Sequence, residues 1–324
     1  MISIITPHHN DFLGLERLYT ALKTQTNMNF EWIIVDDLSN IKTQTKLKHF
    51  KLQNLSCSFI KILFSEKKLF ASGARNKGVE VSLFNKIVFV DSDDLITSDF
   101  VNNRTHFLNF DLVVFLKIKI IKDYKNLKGT FFSDIETNFL ANFLSTKFCW
   151  QTSAMVFEKS YFNKIGGFST ELILLEDVLL SINSLAKSDN IKIVKNNDID
   201  FYYFTKPIDI SNRSYLKVSK SVRQFILQVS EIKSKEIQKN YQLLISYYYL
   251  VCRYFVKDKI SFYNVKDLIL LLYLFYKYQL INSFKFILGF LSIVTLIKKS
   301  VFLKINRKLF KKLVENNQNT YPII

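Results

Sequence analysis

The chain has 324 residues, 48% of them hydrophobic and 23% charged. That is enough for one full domain of about 200 residues with a smaller second unit, and too apolar for a disordered chain. The net charge of +17 sits mostly at one end: residues 215–324 hold 19 Lys and Arg against 5 Asp and Glu, a balance of +14, whereas residues 1–214 hold 26 against 23, only +3. Three scattered cysteines, Cys57, Cys149 and Cys252, with no CxxC pair, argue against a disulfide framework and for free thiols in a reducing compartment. No basic segment followed by an apolar run opens the chain, so a cytoplasmic protein is expected.

The first half alternates between apolar runs and helical spacings. Residues 2–6 read as a buried strand. Residues 13–24 place Leu15, Leu18, Tyr19 and Leu22 on one helical face. Residues 32–36 form a second strand, 43–52 a helix and 59–64 a third strand. Residues 72–81 read as a helix with Ser72 as N-cap, and 86–90 as a fourth strand. This strand–helix alternation predicts an α/β fold, a mostly parallel sheet flanked by helices. Further on, 112–121 read as one strand. A short element begins at Met155, helices span 159–165 and 177–186, and strands span 191–195 and 199–204. Pro207 marks a boundary, giving an α/β domain over 1–213 and an α-helical C-terminal unit over 214–324.

In an open parallel sheet, ligands bind beyond the carboxyl ends of the strands. Four segments fall there: Thr6-Pro7-His8-His9-Asn10, Asp36-Asp37, the turn from Lys67 to Arg75, and Asp91-Ser92-Asp93-Asp94. An acidic cluster left alone repels itself, and a divalent cation relieves that cost. Asp and Ser oxygens are hard ligands suited to Mg2+ or Mn2+, and a diphosphate would add its own oxygens. No GxGxxG follows the first strand and no GxxxxGK[ST] occurs, so phosphate handling falls to a metal and a basic residue such as Arg75. One acidic turn could be merely solvated; two at neighbouring strand ends point to function.

These segments resemble the family 2 glycosyltransferases with the GT-A fold, Rossmann-like enzymes of bacterial capsule, lipopolysaccharide and other surface-glycan assembly. The resemblance spans residues 1–215. It rests on Ser3 to Asn10, Gln25-Thr26 leading into Phe30 to Ser39, Ala74 to Gly78, Val88 to Asp94, and Gly166-Gly167-Phe168 followed by Glu176-Asp177. It implies a nucleotide-sugar donor, UDP-linked, and a saccharide or lipid-linked glycan acceptor, with inversion at the transferred sugar. Pro7, Asn10 and Asp37 would serve the nucleotide, with Arg75 and Ser92 close by. Asp91 and Asp93 match the DxD element, Asp91 towards the ribose and Asp93 as metal ligand. Asp177 matches the general base, with Gly167, Phe168 and Glu176 on the acceptor side. The sequence departs from the pattern at His9, where Tyr is usual, and at Leu38, where Gly is usual. For Phe168 a core position under a tight turn is the simpler reading, and Trp32 and Trp150 read as core.

In the C-terminal unit, residues 268–276 and 284–297 are strongly apolar; the latter, at 14 residues, is too short for a span of roughly 20. Lys298, Lys299, Lys304, Arg307, Lys308, Lys311 and Lys312 follow. Apolar surface beside basic clusters predicts peripheral attachment to an anionic membrane, the inner face for a cytoplasmic enzyme, with no nucleic-acid partner. The alternative is a helical subdomain packed on the first domain or on a second chain, with its lysines on the solvated face. Two competing functions are weaker. A nucleotidyltransferase needs a basic loop after the first strand, and residues 6–10 contain no Lys or Arg. A non-catalytic basic protein does not need Asp37, Asp91, Asp93 and Asp177 together.

Overall fold

The computed structural model describes residues 1–54, 57, 59–107, 109–124, 126–131, 138–195, 198–205, 214–257 and 261–297. The boundary expected at Pro207 and the basic run from Lys298 lie outside them. In chain order the elements are β1 (Ile2–His8), α1 (Phe12–Lys23), β2 (Phe30–Asp36), α2 (Ile41–Gln53), β3 (Ile60–Phe64), α3 (Phe70–Glu80) and β4 (Lys86–Phe89). Then come β5 (Leu95–Ile96), α4 (Phe100–Thr105), β6 (Leu112–Phe115), β7 (Lys119–Ile121), β8 (Thr130–Phe131) and α5 (Phe139–Leu144). These are followed by β9 (Met155–Glu158), α6 (Lys159–Lys164), α7 (Glu176–Lys187), β10 (Ile191–Val194) and β11 (Phe201–Phe204). Helices complete the chain: α8 (Tyr215–Ser230), α9 (Lys235–Asn240), α10 (Ile245–Lys257), α11 (Phe262–Lys277) and α12 (Ser283–Ile297).

The chain divides into two compact units. One comprises Met1–Ile135, Cys149–Thr170 and Asn183–Pro207; the other comprises Glu136–Phe148, Glu171–Ile182 and Ile208–Ile324. The second unit is thus larger than the C-terminal unit read from sequence. It recruits α5 because the Tyr247 hydroxyl donates to the Phe143 carbonyl at 2.6 Å, a tertiary bond that no local pattern announces.

The first unit is built on a seven-stranded sheet in the order β10-β6-β9-β4-β1-β2-β3. Strand β1 lies parallel to β2 on one side and to β4 on the other, and β2 is parallel to β3. Strand β9 runs antiparallel to both its neighbours, β4 and β6, while β10 is parallel to β6. The mostly parallel α/β expectation holds. Every residue of β2 is buried, as a central parallel strand covered on both faces requires. The Trp32 indole within it donates to the Thr6 hydroxyl at 2.9 Å, and Trp32 and Trp150 are both core.

A second, four-stranded sheet has the order β5-β11-β7-β8. Here the sequence reading fails: residues 112–121 are two strands in different sheets. The chain turns at Leu116, whose carbonyl accepts from the Ile118 amide at 2.9 Å. The run Leu112 to Ile121 contains no Gly, Pro, Asn or Asp, so composition carries no sign of the break. Ser72 is not the N-cap of α3 either; that helix starts at Phe70 and Ser72 is buried within it. The cap comes from elsewhere in the chain: Asp37 Oδ1 accepts the Leu69 amide at 2.5 Å.

The second unit is helical. Asp267 of α11 accepts hydrogen bonds from Tyr215 (2.9 Å), Ser219 (2.5 Å) and Arg223, tying α11 to α8. Phe225 packs on Tyr247 at 4.5 Å and Tyr248 on Phe275 at 5.5 Å, joining α8 to α10 and α10 to α11. Among the described residues no helix is long and apolar enough to cross a membrane.

Candidate active site

Because β1, β2 and β4 are adjacent and parallel, their carboxyl ends open on one edge of the sheet. The loops there enclose a cavity of about 340 Å³ lined by, among others, Pro7, Asp37, Arg75, Asp91, Ser92 and Asp93. That volume falls in the range of small-molecule sites. Six of the sequence candidates therefore meet.

The loop after β2 is fixed by a buried pair. His8 Nδ1 donates to Asp36 Oδ1 at 2.9 Å, and both side chains are fully buried. Burial alone would push the Asp36 carboxyl up; the hydrogen bonds from His8 and Ser39, with the His8 charge, outweigh it and hold it below the usual carboxylate range. The neighbouring Asp37 faces the cavity. Its Oδ2 pairs with Lys68 at 2.9 Å, and its carbonyl accepts from His9 Nδ1 at 2.8 Å. Asn10, expected at the nucleotide, lies outside the cavity lining. At φ +59° it clasps the two loops: its amide donates to Ser39 Oγ and its Oδ1 accepts the Asn40 amide, each at 2.8 Å. An Asn tolerates that left-handed backbone, which explains the residue type without a ligand.

The acidic turn after β4 is held from four sides. The Arg75 guanidinium donates to both Asp91 oxygens, at 2.8 and 3.0 Å. Ser92 Oγ donates to Asp11 Oδ2 at 3.0 Å. The Tyr124 hydroxyl donates to the Asp93 carbonyl at 2.7 Å, and the Phe204 amide to Asp94 Oδ1 at 3.0 Å. Asp11 also caps α1 through the Gly14 amide, and a Cβ on Gly14 would stand 2.5 Å from the Ser92 carbonyl. Only glycine lets the turn approach this closely. Asp94, beneath the turn, is fully buried. Burial first, then the Asp91 and Asp93 charges, pushes its carboxyl well above the usual range, towards the protonated form.

Arg75 is itself backed by an aromatic layer. Its guanidinium lies 5.1 Å from the centre of the Phe168 ring, which meets Phe89 edge-on at 5.0 Å. The Asn76 amide grips the Phe168 backbone, accepting its N–H at 3.0 Å and donating to its carbonyl at 2.8 Å. Phe168 is 2% exposed. Its ring supports Arg75 and offers no surface to an acceptor, which corrects the acceptor-side expectation for Phe168 in favour of the core reading. Gly167 makes the turn into it at φ +62°.

Glu176 and Asp177 belong to the second unit, in the first turn of α7, where the helix dipole favours acids. The Ser181 hydroxyl donates to the Asp177 carbonyl at 2.8 Å.

Among the described residues no three His, Cys, Asp or Glu side chains converge as a complete cation cage. The cavity nevertheless presents Asp93 beside an Asp91 already held by Arg75. A carboxylate or two on a hard cation, with a diphosphate and water completing the shell, is how Mg2+ sits in phosphate-transfer sites. The donor set fits.

Sequence reading missed Asp11, Lys68 and Phe70, all of which line the cavity. Asp11 carried an N-cap signal. Lys68 and Phe70 carried none beyond lying in the turn before Arg75; Phe70, 50% exposed at φ +56°, sits in a backbone conformation rare for a bulky residue.

The mostly parallel sheet, with an acidic turn and an arginine gathered at its carboxyl edge, is that of a glycosyltransferase of GT-A architecture. The glycosyl transferase family 2 profile matches residues 3–162, just under half of the chain, and marks a glycosyltransferase domain of that type there. It is 27% identical over 254 residues to the UDP-Glc:alpha-D-GlcNAc-diphosphoundecaprenol beta-1,3-glucosyltransferase WfaP of Escherichia coli, covering 78% of this chain and 93% of that protein. It is 27% identical over 243 residues to the poly(ribitol-phosphate) beta-N-acetylglucosaminyltransferase TarP of Staphylococcus aureus, covering 71% of this chain and 70% of that one. The fold is similar to the crystal structure of S. aureus TarS 1-349, with a TM-score of 0.65 and 17% identity over 86% of this chain and 80% of that chain.

Proposed function

We propose that this glycosyltransferase moves a sugar from a UDP-sugar to an acceptor hydroxyl in bacterial surface-glycan assembly, inverting the anomeric centre. The observation that carries the reading is the meeting of Asp37, Arg75, Asp91 and Asp93 in one cavity at the carboxyl edge of β1, β2 and β4. The activity of its relative WfaP, which joins a UDP-glucose donor to a lipid-diphosphate acceptor in a β linkage, supports the donor, the acceptor class and the inversion.

Pro7, Asp37 and the half-exposed Phe70 ring hold the base, and Lys68 keeps Asp37 oriented. Arg75 offsets the charge that gathers on the departing diphosphate, and its stacking on Phe168 keeps it in place. Asp93, with Asp91, would hold Mg2+ or Mn2+, which when bound neutralises diphosphate charge as a Lewis acid. Asp177 takes the acceptor proton as the acceptor oxygen bonds to the anomeric carbon; the bond to the donor phosphate oxygen breaks and its electron pair leaves with UDP. The enzyme works at the inner face of the cytoplasmic membrane, where lipid-linked acceptors are presented.

The test is a panel of nucleotide-sugars, with and without manganese, read by release of nucleoside diphosphate. One donor should dominate, and Asp93→Ala should lower its turnover at least about a hundred-fold while the thermal midpoint stays unchanged. Unaltered turnover in that variant overturns the metal assignment, and no turnover with any donor overturns the function.

A further inference from the structure

Among the described residues, helices α11 and α12 present an exposed face that the core packing of these helices does not use. On α11, Tyr263, Leu270 and Tyr273 are 76%, 47% and 53% exposed, and they share a stripe with the exposed Lys266 and Lys277. On α12, Phe284, Ile287, Leu288 and Leu291 are 68%, 54%, 43% and 53% exposed, and their spacing sets them on one helical face. The single acidic residue of the two helices, Asp267, is occupied by Tyr215, Ser219 and Arg223 of α8. The face therefore combines exposed hydrocarbon with cations, and helices α11 and α12 contribute no further acid to balance them.

At the turn joining the two helices lies a cavity of about 630 Å³. Lys277 and Lys285 line it together with the polar residues Gln242, Gln279, Asn282 and Ser283, among others. Two ammonium groups among neutral donors suit a phosphate. The neighbouring stripe suits acyl chains.

The charge decides between occupants. A second copy would bring an equally basic surface against this one, since residues 215–324 carry a balance of +14. A nucleic acid supplies phosphates but nothing for the apolar stripe. An anionic bilayer supplies both. Helix α12, 15 residues and so about 22 Å long, is shorter than the ~30 Å hydrocarbon core, which makes it a helix for the interface and not for crossing.

We propose that this face of α11 and α12 lies on an anionic lipid surface, with a lipid phosphate seated between Lys277 and Lys285. The assignment deepens the membrane-face reading given above and rests on it for its purpose, but it is measured without turnover.

The experiment is co-sedimentation of the full chain with vesicles of phosphatidylcholine alone and of phosphatidylcholine with one third phosphatidylglycerol. Binding to the anionic vesicles should be much the stronger and should weaken as ionic strength rises. Lys277→Gln with Lys285→Gln should weaken it roughly thirty-fold, about five-fold for each lysine. Phe284→Ser with Ile287→Ser should abolish what binding survives high salt. Both pairs should leave the thermal midpoint, and sugar transfer to a water-soluble acceptor, unchanged. Equal binding to both vesicle types overturns the proposal, as does wild-type binding by either variant. Displacement from vesicles by inorganic phosphate makes the cavity a free-anion site and overturns it too. So does a lipid-free dimer in sedimentation velocity that Phe284→Ser with Ile287→Ser dissolves. Vesicle binding without any sugar transfer sinks the proposed function and leaves the surface standing; the converse sinks only the surface.

Discussion

The adjacent glycines 166 and 167 allow the support beneath Arg75 to be tested with an internal control. Both have positive φ, +96° and +62°, so a methyl group at either meets backbone strain of about 1–2 kcal/mol. They differ in surroundings. A Cβ on Gly166 meets nothing within 4 Å, whereas on Gly167 it stands 2.8 Å from a Phe162 ring carbon and 2.9 Å from Asn76 Oδ1. Those two neighbours are the ring packed against Phe168 and the amide that grips its backbone. Gly167→Ala therefore adds an overpacking cost of about 1–3 kcal/mol that Gly166→Ala escapes. In urea unfolding, Gly166→Ala should lose about 1–2 kcal/mol and Gly167→Ala about 2–5 kcal/mol. As a thermal shift the difference is about 2–4 °C per kcal/mol for a unit of this size. Gly167→Ala should also raise the donor KM, because displacing Phe168 withdraws the ring beneath Arg75, while Gly166→Ala should not. Equal destabilisation by the two substitutions, or a donor KM that moves with neither, would refute the clamp.

Two further predictions concern charge and proton transfer. The Asp36 carboxyl is held below its usual range, so its contribution to stability is fully present above the unfolded value of about 3.9 and is lost as pH falls from there through the lower folded value. Asp36→Asn should flatten the acid limb of a plot of melting midpoint against pH, and His8→Phe, which strips a buried carboxylate of its main donor, should cost about 3 kcal/mol in urea at neutral pH. Asp177→Asn should lower kcat by about 10²–10⁴ while leaving the affinity for UDP, measured by calorimetry, at the wild-type value; weakened UDP binding in that variant would place Asp177 at the nucleotide instead.

Much of the site was legible in the residues because its chemistry is local. Strands β1, β2 and β4 announce themselves as short apolar runs, and each is followed at once by its polar segment, so Pro7, Asp37 and the Asp91–Asp93 turn could be set at strand ends before any sheet order was known. Parallel pairing then had to bring them to one edge, and it did. The core position of Phe168 was legible as well, from a large apolar ring following two glycines. What had no sequence signal depends on partners far along the chain. Asp37 capping α3, Asn10 clasping two loops, and Tyr124 in the turn after β7 and Phe204 of β11 pinning the acidic turn are bonds between residues 29 to 110 positions apart. The division of residues 112–121 between two sheets belongs with these, since an apolar run satisfies either sheet equally and only the fit of the finished core selects where it bends. The sequence by itself determined which polar residues stand at the strand ends, because hydrophobic period and turn composition act over a few residues. The tertiary structure alone decided how those side chains are held, because burial, ion pairing and helix capping are satisfied by whichever group the folded chain brings near.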